Sequence, residues 1–477
     1  MNLTFIEQAL GTQLAKIHGK SRNFTHCVID SRSATPGSLF IAFRGNNLDG
    51  NAYIESAFNN GALGAITENS WEKPLDDSQS VFEVKDSLTA LQHIGQACRR
   101  ELLHGPLIAI AGSVGKTTSK ELISQIAQLY FKNCVVTQGS ENGFIGIPLT
   151  LSRLKENTDL AIIEVGIDAP GAMTQHMNML QADFAIVTAI AAEHLETLID
   201  INTVAFEESI CLKATLDRGG KIALNLDEPA LLKHLPSSHS NVFCYSFNDS
   251  NAPSDHVLIG KKVGHKLILN GMNYMQREVP LALPGEHFAK NVLGAVCLAN
   301  MLKIPHQFIE KALQNFSSPS GRLNIKKFSQ DTLLIGDYYN ASPASMNAAF
   351  SAAAELRGPN SYRTIAVLGD MLELGQDEEL YHRELACLLE KYNFSKAYLY
   401  GTRMKFLADE LNKQKTASKN ILHSNNSHLS FSHFPGHEEI AAAILSDLKP
   451  HDIILIKGSR SMRMEKVWQL LLESQSS

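Results

Sequence analysis

Residues 107–118, Leu-Ile-Ala-Ile-Ala-Gly-Ser-Val-Gly-Lys-Thr-Thr, constrain this chain more than any other stretch. A β-branched apolar run meets a turn of small residues, then Lys116 and Thr117, and a helical pattern from Ser119 to Tyr130 follows. Strand, small-residue turn and helix in that order make a phosphate-binding loop. Backbone N–H groups and the positive helix end face phosphate oxygens, the lysine reaches the terminal phosphates, and the following hydroxyl holds Mg²⁺. The longer form of the pattern fails at Ile110, where its first glycine would stand. The shorter form, Gly112-Ser113-Val114-Gly115-Lys116-Thr117 with Thr118 behind it, is intact. A Gly-rich turn in an ordinary α/β unit is the alternative, but such a turn has no need of Lys-Thr at the helix start.

A strand that feeds such a loop belongs in a mostly parallel sheet, and the chain is long enough for several sheets. Its 477 residues suit two to four domains of about 100–200 residues each. Apolar residues make up 44% and charged residues 19%, enough for ordinary globular cores. A net charge of −6 argues against a nucleic-acid partner. The seven cysteines are scattered, odd in number and never in a C-x-x-C, which suits reduced, mostly buried thiols in a cytosolic protein. No signal-peptide pattern and no apolar run of membrane-spanning length is present, so a soluble, cytoplasmic protein without membrane insertion is expected.

Residues 1–104 mix short strands and helices and close with an amphipathic helical segment, Ser87 to Leu103, before Gly105-Pro106. Strand–helix alternation follows, with strands at 107–111, 160–165, 184–188 and 221–225. Short antiparallel strands are expected within 249–280, and helices at 287–302 and 306–315. Ser317-Ser318-Pro319-Ser320-Gly321 reads as a linker, after which strands at 332–337, 364–369, 396–400 and 452–457 alternate with helices. The reading is an α/β chain of three domains: a mixed α/β unit (1–104), a central ATPase-like, mostly parallel sheet with the phosphate loop (105–316), and a Rossmann-like α/β unit (321–477). The polar segment 415–436, with His423, His428, His433 and His437, reads as a solvated loop; the spacing is too irregular for a metal site.

Further side chains gain meaning beside the loop. Glu164 ends an apolar strand, where a carboxylate next to phosphates can ligate Mg²⁺, although a capping or paired glutamate would look the same. His194 follows another strand, a position that a structural histidine also fills. Arg322 and Asp337 open the last unit, and an arginine brought onto a γ-phosphate from another domain would stabilise charge in phosphoryl transfer.

Taken together, the motifs resemble the Mur ligases, ATP-dependent amide-forming enzymes of peptidoglycan synthesis, over essentially the whole chain. The first unit carries Asp30-Ser31-Arg32, Pro36-Gly37-Ser38-Leu39-Phe40 and Asp49-Gly50-Asn51, which match the family's UDP-binding domain. The second carries the phosphate loop, Thr137-Gln138-Gly139, Gly146-Ile147-Pro148-Leu149-Thr150, Glu164-Val165-Gly166, Ala192-Glu193-His194-Leu195-Glu196 and Pro284-Gly285-Glu286-His287 with Asn291. The third carries Tyr339-Asn340-Ala341-Ser342-Pro343, Gly369-Asp370-Met371-Leu372-Glu373-Leu374-Gly375 and Lys457-Gly458-Ser459-Arg460, the last two pointing to the dipeptide-adding subgroup.

The resemblance implies a monomeric enzyme that uses ATP and Mg²⁺ to join D-Ala-D-Ala to a UDP-N-acetylmuramoyl-peptide through an acyl phosphate. It implies that Lys116 holds the terminal phosphates and Thr117 one Mg²⁺, with Glu164 and His194 at a second Mg²⁺. His287 and Asn291 match the adenine-side positions, and Arg322 and Asp337 the γ-phosphate and ribose contacts. Ser31, Arg32, Asp49, Gly50, Asn142 and Asn340 fall at substrate-binding positions. The chain departs from the family at three places. Glu208 stands at the position of a carbamylated lysine, as the expected anion of the second metal site, with Glu207 as an acidic neighbour. Ser140-Glu141-Asn142-Gly143 replaces Asn-x-Asn-Asn, and Gly336-Asp337 replaces a pair of acids. Two alternatives stay open at this level: a related ligase with another acceptor, and a nucleotide-binding paralogue without catalysis.

Overall fold

The computed structural model describes residues 1–20, 23–45, 48–193, 195–235, 240–247, 256–357, 363–419 (backbone alone for 417–419) and 429–475. These form three sheets. The first places Leu14–Gly19, Ser80–Val84, Gly64–Thr67, Ser38–Ile41 and His26–Val28 side by side, parallel except where Leu14–Gly19 runs against Ser80–Val84. The second has nine strands, with Leu107–Ala111 between Phe184–Val187 and Leu160–Glu164. The third has six, parallel except for the hairpin of Asn324–Lys327 with Leu333–Asp337. The architecture is the expected three-part α/β one, with mixed, mostly parallel sheets.

Burial on both faces explains the apolar runs. All five residues of Leu107–Ala111 are buried, and side chains alternate between two cores. Ile108 and Ile110 join Leu122, Ile123 and Ile126 of the helix Lys116–Gln128 and the helix Glu286–Met301. Leu107, Ala109 and Ala111 face the other side, with Met173, Met177, Val204 and Leu212 from the helices Ala172–Leu180 and Ile201–Asp217.

That second core does not stop at the central sheet. It continues into the first unit through Leu91, Ile94 and Cys98 of the helix Ser87–Leu102 to Ile6, Leu10, Leu39 and Phe82. The backbones approach closely here: a Cβ on Gly95 would lie 2.7 Å from Pro148 Cβ. Arg99 adds donors to Leu180 O (2.9 Å), Gln181 O (3.0 Å) and Asp183 Oδ2 (2.9 Å). The third unit has its own two cores, one on each face of its sheet, built only from residues beyond 322.

Four strands were not expected from periodicity: Cys134–Val136, Val242–Ser246, Asn324–Lys327 and Ser430–Phe434. Three of them lie at sheet edges, and two of those, Asn324–Lys327 and Ser430–Phe434, leave much of one side to water, so no run of apolar residues marks them. The expectation of a loop over 415–436 is corrected at both ends. The helix Met404–Lys419 runs through its start, and Ser430–Phe434 pairs in parallel with Lys396–Tyr400. His423 and His428 lie outside the described residues. His433 bonds Gly401 O (2.7 Å) and His437 bonds Met462 O (2.8 Å).

Within 249–280, residues 249–255 lie outside the described residues; the rest forms three strands, Val257–Val263, Lys266–Gly271 and Tyr274–Pro280, antiparallel to one another. All seven cysteines are free, and Cys387, on the helix Glu378–Lys391, is the exposed one. Among the described residues no helix is long and apolar enough to cross a membrane.

Candidate active site

The phosphate loop leaves the strand Leu107–Ala111 and enters its helix at Lys116, with Gly112 and Gly115 at φ of 116° and 94°. A Cβ on Gly112 would sit 2.4 Å from Thr188 Oγ1, and one on Gly115 2.5 Å from Asn291 Oδ1, so only glycine fits at either end. Lys116 folds back over the loop, donating to Gly112 O (2.5 Å) and Ser113 O (3.3 Å) and pairing with Glu193 Oε1 (3.3 Å). Burial works to lower its pKa, but the carboxylates of Glu193, Glu208 and Glu164 outweigh it and hold the ammonium above its usual range.

Glu164 stands at the end of its strand beside the loop. Its Oε1 accepts from Thr117 Oγ1 (3.1 Å) and Asn142 Nδ2 (2.9 Å), and its backbone N–H donates to Thr137 Oγ1 (3.0 Å). Its Oε2 is buried with no hydrogen-bond partner, and so is Ser113 Oγ. Behind Glu164 lies Lys120, only 1% exposed, with Nζ 3.7 Å from Oε2 and donating to Thr137 O (3.0 Å) and Gly139 O (3.2 Å). Sequence reading overlooked Lys120. One signal was available: it lies one helical turn beyond Lys116, on the side that carries Ser119, Leu122 and Ile123 into the core.

The third unit reaches this place through the linker. The Gln125 side chain, on the phosphate-loop helix, accepts from Ser317 N–H (3.4 Å) and donates to Ser317 O (3.1 Å). Arg322 then lies over the Tyr339 ring, 4.2 Å from its centroid. Asp337 accepts from Lys457 Nζ (2.5 Å) and from Leu323 N–H (3.0 Å), and Lys457, 2% exposed, also donates to Asn340 O (2.9 Å). Glu355 adds a second tie, accepting from Lys262 Nζ (2.5 Å) and Gly285 N–H (2.8 Å) of the central unit.

Between the two units lies a cavity of about 450 Å³. Its wall brings together Ser113 to Thr118, Asn142, Glu164, His287 and Asn291 from one side and Arg322, Asp337 and Asn340 from the other. Asp168, Glu193, Glu373 and Lys457 join them without having been singled out as site residues.

Other expected residues lie apart. Glu208 is fully buried beneath the loop, its Oε2 accepting from Gly112 N–H (2.8 Å) and its Oε1 without a partner. Burial pushes its carboxyl up to about 8 against the pull of Lys116. Glu207 is buried too and accepts from Gly171 N–H (2.9 Å). His194 lies outside the described residues. In the first unit, Asp30 caps the turn that holds Ser31 and pairs with Arg32 (2.6 Å), which keeps its pKa low, at about 2. Asp49 accepts from the Asn51 backbone (2.9 Å) and side chain (2.6 Å), and Gly50 N–H donates to Phe43 O (2.8 Å). None of Ser31, Arg32, Asp49 and Gly50 lines the 450 Å³ cavity. A second cavity, about 590 Å³, opens between Thr25–Asp30 with Ser33 and Gln138, Glu141, Arg153 and Lys155 of the central unit.

The donors beside the loop suit a hard divalent cation: a threonine hydroxyl and a carboxylate with one orphaned oxygen. Among the described residues no group of three or more His, Cys, Asp or Glu converges as a metal cage.

Comparison with known proteins gives a consistent answer. Three family models match in series: the Mur ligase family catalytic domain over 23–97, the Mur ligase middle domain over 110–299, and the Mur ligase glutamate ligase domain over 321–460. The UDP-N-acetylmuramoyl-tripeptide–D-alanyl-D-alanine ligase of Synechocystis is 30% identical over 94% of this chain and 92% of its own. Among solved structures, MurF from Acinetobacter baumannii superposes with a TM-score of 0.80 at 22% identity, covering 99% of this chain and 98% of that one. The MurF ligase of Thermotoga maritima, in complex with ADP, gives 0.75 at 20% identity over 95% and 98%.

Proposed function

The chain belongs to the Mur ligase family, and we propose that it joins D-Ala-D-Ala to UDP-N-acetylmuramoyl-tripeptide in peptidoglycan precursor synthesis, with ATP consumed to form an acyl phosphate. The observation that carries the reading is the single cavity walled by Lys116, Thr117 and Glu164 on one side and by Arg322, Asp337 and Lys457 on the other. Such a site meets the main physical demand of the reaction: a carboxylate must approach the γ-phosphate of ATP although both are anionic.

In this reading the terminal carboxylate oxygen of the tripeptide bonds to the γ-phosphorus and ADP departs. The dipeptide amine then attacks the acyl carbon, the tetrahedral intermediate expels inorganic phosphate, and the amine proton leaves to solvent or a cavity carboxylate. Lys116 releases the loop carbonyls to take phosphate oxygens, and Arg322 neutralises charge on the transferred group. Asp337, held by Lys457, and His287 with Asn291 position the nucleoside. Thr117, Glu164 and His194 would hold Mg²⁺, which supplies charge neutralisation between the phosphates and the carboxylate. Glu208 takes the carbamate's place beneath the loop; its carboxyl, held up at about 8 by burial, would be drawn into the anionic form by a bound Mg²⁺, and because no lysine carbamate has to form, turnover is expected to be indifferent to added bicarbonate. Ser31, Arg32, Asp49 and Gly50 are assigned to the UDP end of the substrate, with the peptide running toward Asn142 and Asn340. We also propose a monomer working in the cytoplasm, a compartment that suits seven unpaired cysteines.

The test is direct. Enzyme, ATP, Mg²⁺, UDP-N-acetylmuramoyl-tripeptide and D-Ala-D-Ala should yield the pentapeptide product by mass, with one phosphate released per bond. Absence of product, or ATP hydrolysis indifferent to both substrates, would overturn the assignment.

A further inference from the structure

We infer that Tyr339 is a positioning residue that ties the seating of Arg322 over the cavity to the central loop that holds Glu164. The inference rests on the ligase reading above. Three contacts meet at this half-buried side chain. Its backbone N–H donates to Gly321 O (3.0 Å), which fixes the turn that carries Arg322. Its ring face receives the Arg322 guanidinium at 4.2 Å, with Arg460 also over the ring at 5.4 Å. Its hydroxyl is hydrogen-bonded to the Ser140 hydroxyl across the junction of the two units.

From Ser140 the path continues inward. Asn142 N–H donates to Ser140 O (2.8 Å), and Asn142 Nδ2 donates to Glu164 Oε1 (2.9 Å). Among the described residues the Arg322 guanidinium forms no ion pair, so the ring is what orients its charge. A π-face holds a cation without neutralising it, and the guanidinium stays available to an incoming phosphate. Ser140, where the chain departs from its family's motif, thus gains a function: it is the central unit's end of the tie.

The test uses the full-length enzyme and steady-state ligation. Tyr339→Phe and Ser140→Ala each remove one hydroxyl. Each is expected to lower kcat by about tenfold, the size of one lost hydrogen bond, with KM for ATP nearly unchanged. The double variant should be no worse than either single one, because both break the same contact. Tyr339→Leu removes the ring as well and should lower kcat further. Arg322→Ala should then cost less in the Tyr339→Leu background than in the wild type. Melting temperatures identify any variant that merely unfolds. Full activity of Tyr339→Phe, additive losses in the double variant, or an Arg322→Ala effect independent of Tyr339 would overturn the inference while leaving ligation intact. A wild-type enzyme that forms no product would instead overturn the ligase reading itself.

Discussion

The two junctions of this molecule are built on opposite principles. Between the first and central units runs one uninterrupted hydrophobic core, from Ile6 to Val242, sealed by the close passage of Gly95 over Pro148. Between the central and third units there is a cavity crossed by polar contacts: Gln125 with Ser317, Glu355 with Lys262 and Gly285, and Ser140 with Tyr339. Burial of apolar surface is non-directional and hard to break in part; polar ties at a wet cleft exchange readily with water. The first pair should therefore behave as one body, and the third unit should move against it. That division fits a reaction in which a site must open for three substrates and then close around a water-sensitive acyl phosphate.

The severest way to break this contrast is truncation. Removing residues 1–104 strips a third of a shared core and is expected to give an insoluble or molten product, whereas removing 321–477 should leave a soluble fragment with a cooperative melt. Solubility and circular dichroism of the two fragments decide it, and a well-folded 105–477 fragment would contradict the shared core. Next in size is Lys116→Ala. It should leave the melting curve intact and lower turnover on the order of a thousandfold, because its charge acts on phosphates at the cleft and not on packing.

A smaller effect sharpens the contrast by pH. His176, 1% exposed, packs against the Phe144 ring at a tilt (49°) at the shared core, and burial depresses its pKa to about 4 even though Asp168 pulls the other way. An imidazole whose folded pKa lies below the unfolded 6.5 stabilises above that value and loses its contribution as pH falls toward 4. The wild type should thus lose a few kcal/mol over that window, and His176→Phe should flatten the slope in denaturant titrations run from pH 7 to 4. Smallest is Glu355→Gln. It weakens one tie of the third unit, costs about 1 kcal/mol or less, and should appear as a larger radius of gyration by small-angle scattering in the absence of substrates. No change in scattering would show that this tie does not hold the cleft.

How much was legible beforehand follows from the same contrast. The sheets and the phosphate loop could be read because buried strands such as Leu107–Ala111 must be continuously apolar, and because Gly112 and Gly115 occupy positions where no Cβ fits. The edge strand Ser430–Phe434 could not, since half of it faces water. The partners around the cleft were the least legible. Lys120 and Lys457 are lysines at 1% and 2% exposure, and apart from Glu121, the neighbour of Lys120 in the chain, their partners are backbone carbonyls and the carboxylates of Glu164 and Asp337, which only the fold assembles. Glu208 was legible as a position, but its bond to Gly112 N–H from beneath the loop was not.

Cys387 has a practical consequence. The other thiols are buried or half-buried, and burial holds those of Cys27, Cys98, Cys134, Cys211, Cys244 and Cys297 above their usual pKa, so few are thiolates at neutral pH. A maleimide dye should therefore attach first at Cys387, on the outside of the unit expected to swing. With one engineered cysteine on the first unit as acceptor, the unmodified chain already carries half of an optical ruler, able to time opening and closing in single molecules during turnover.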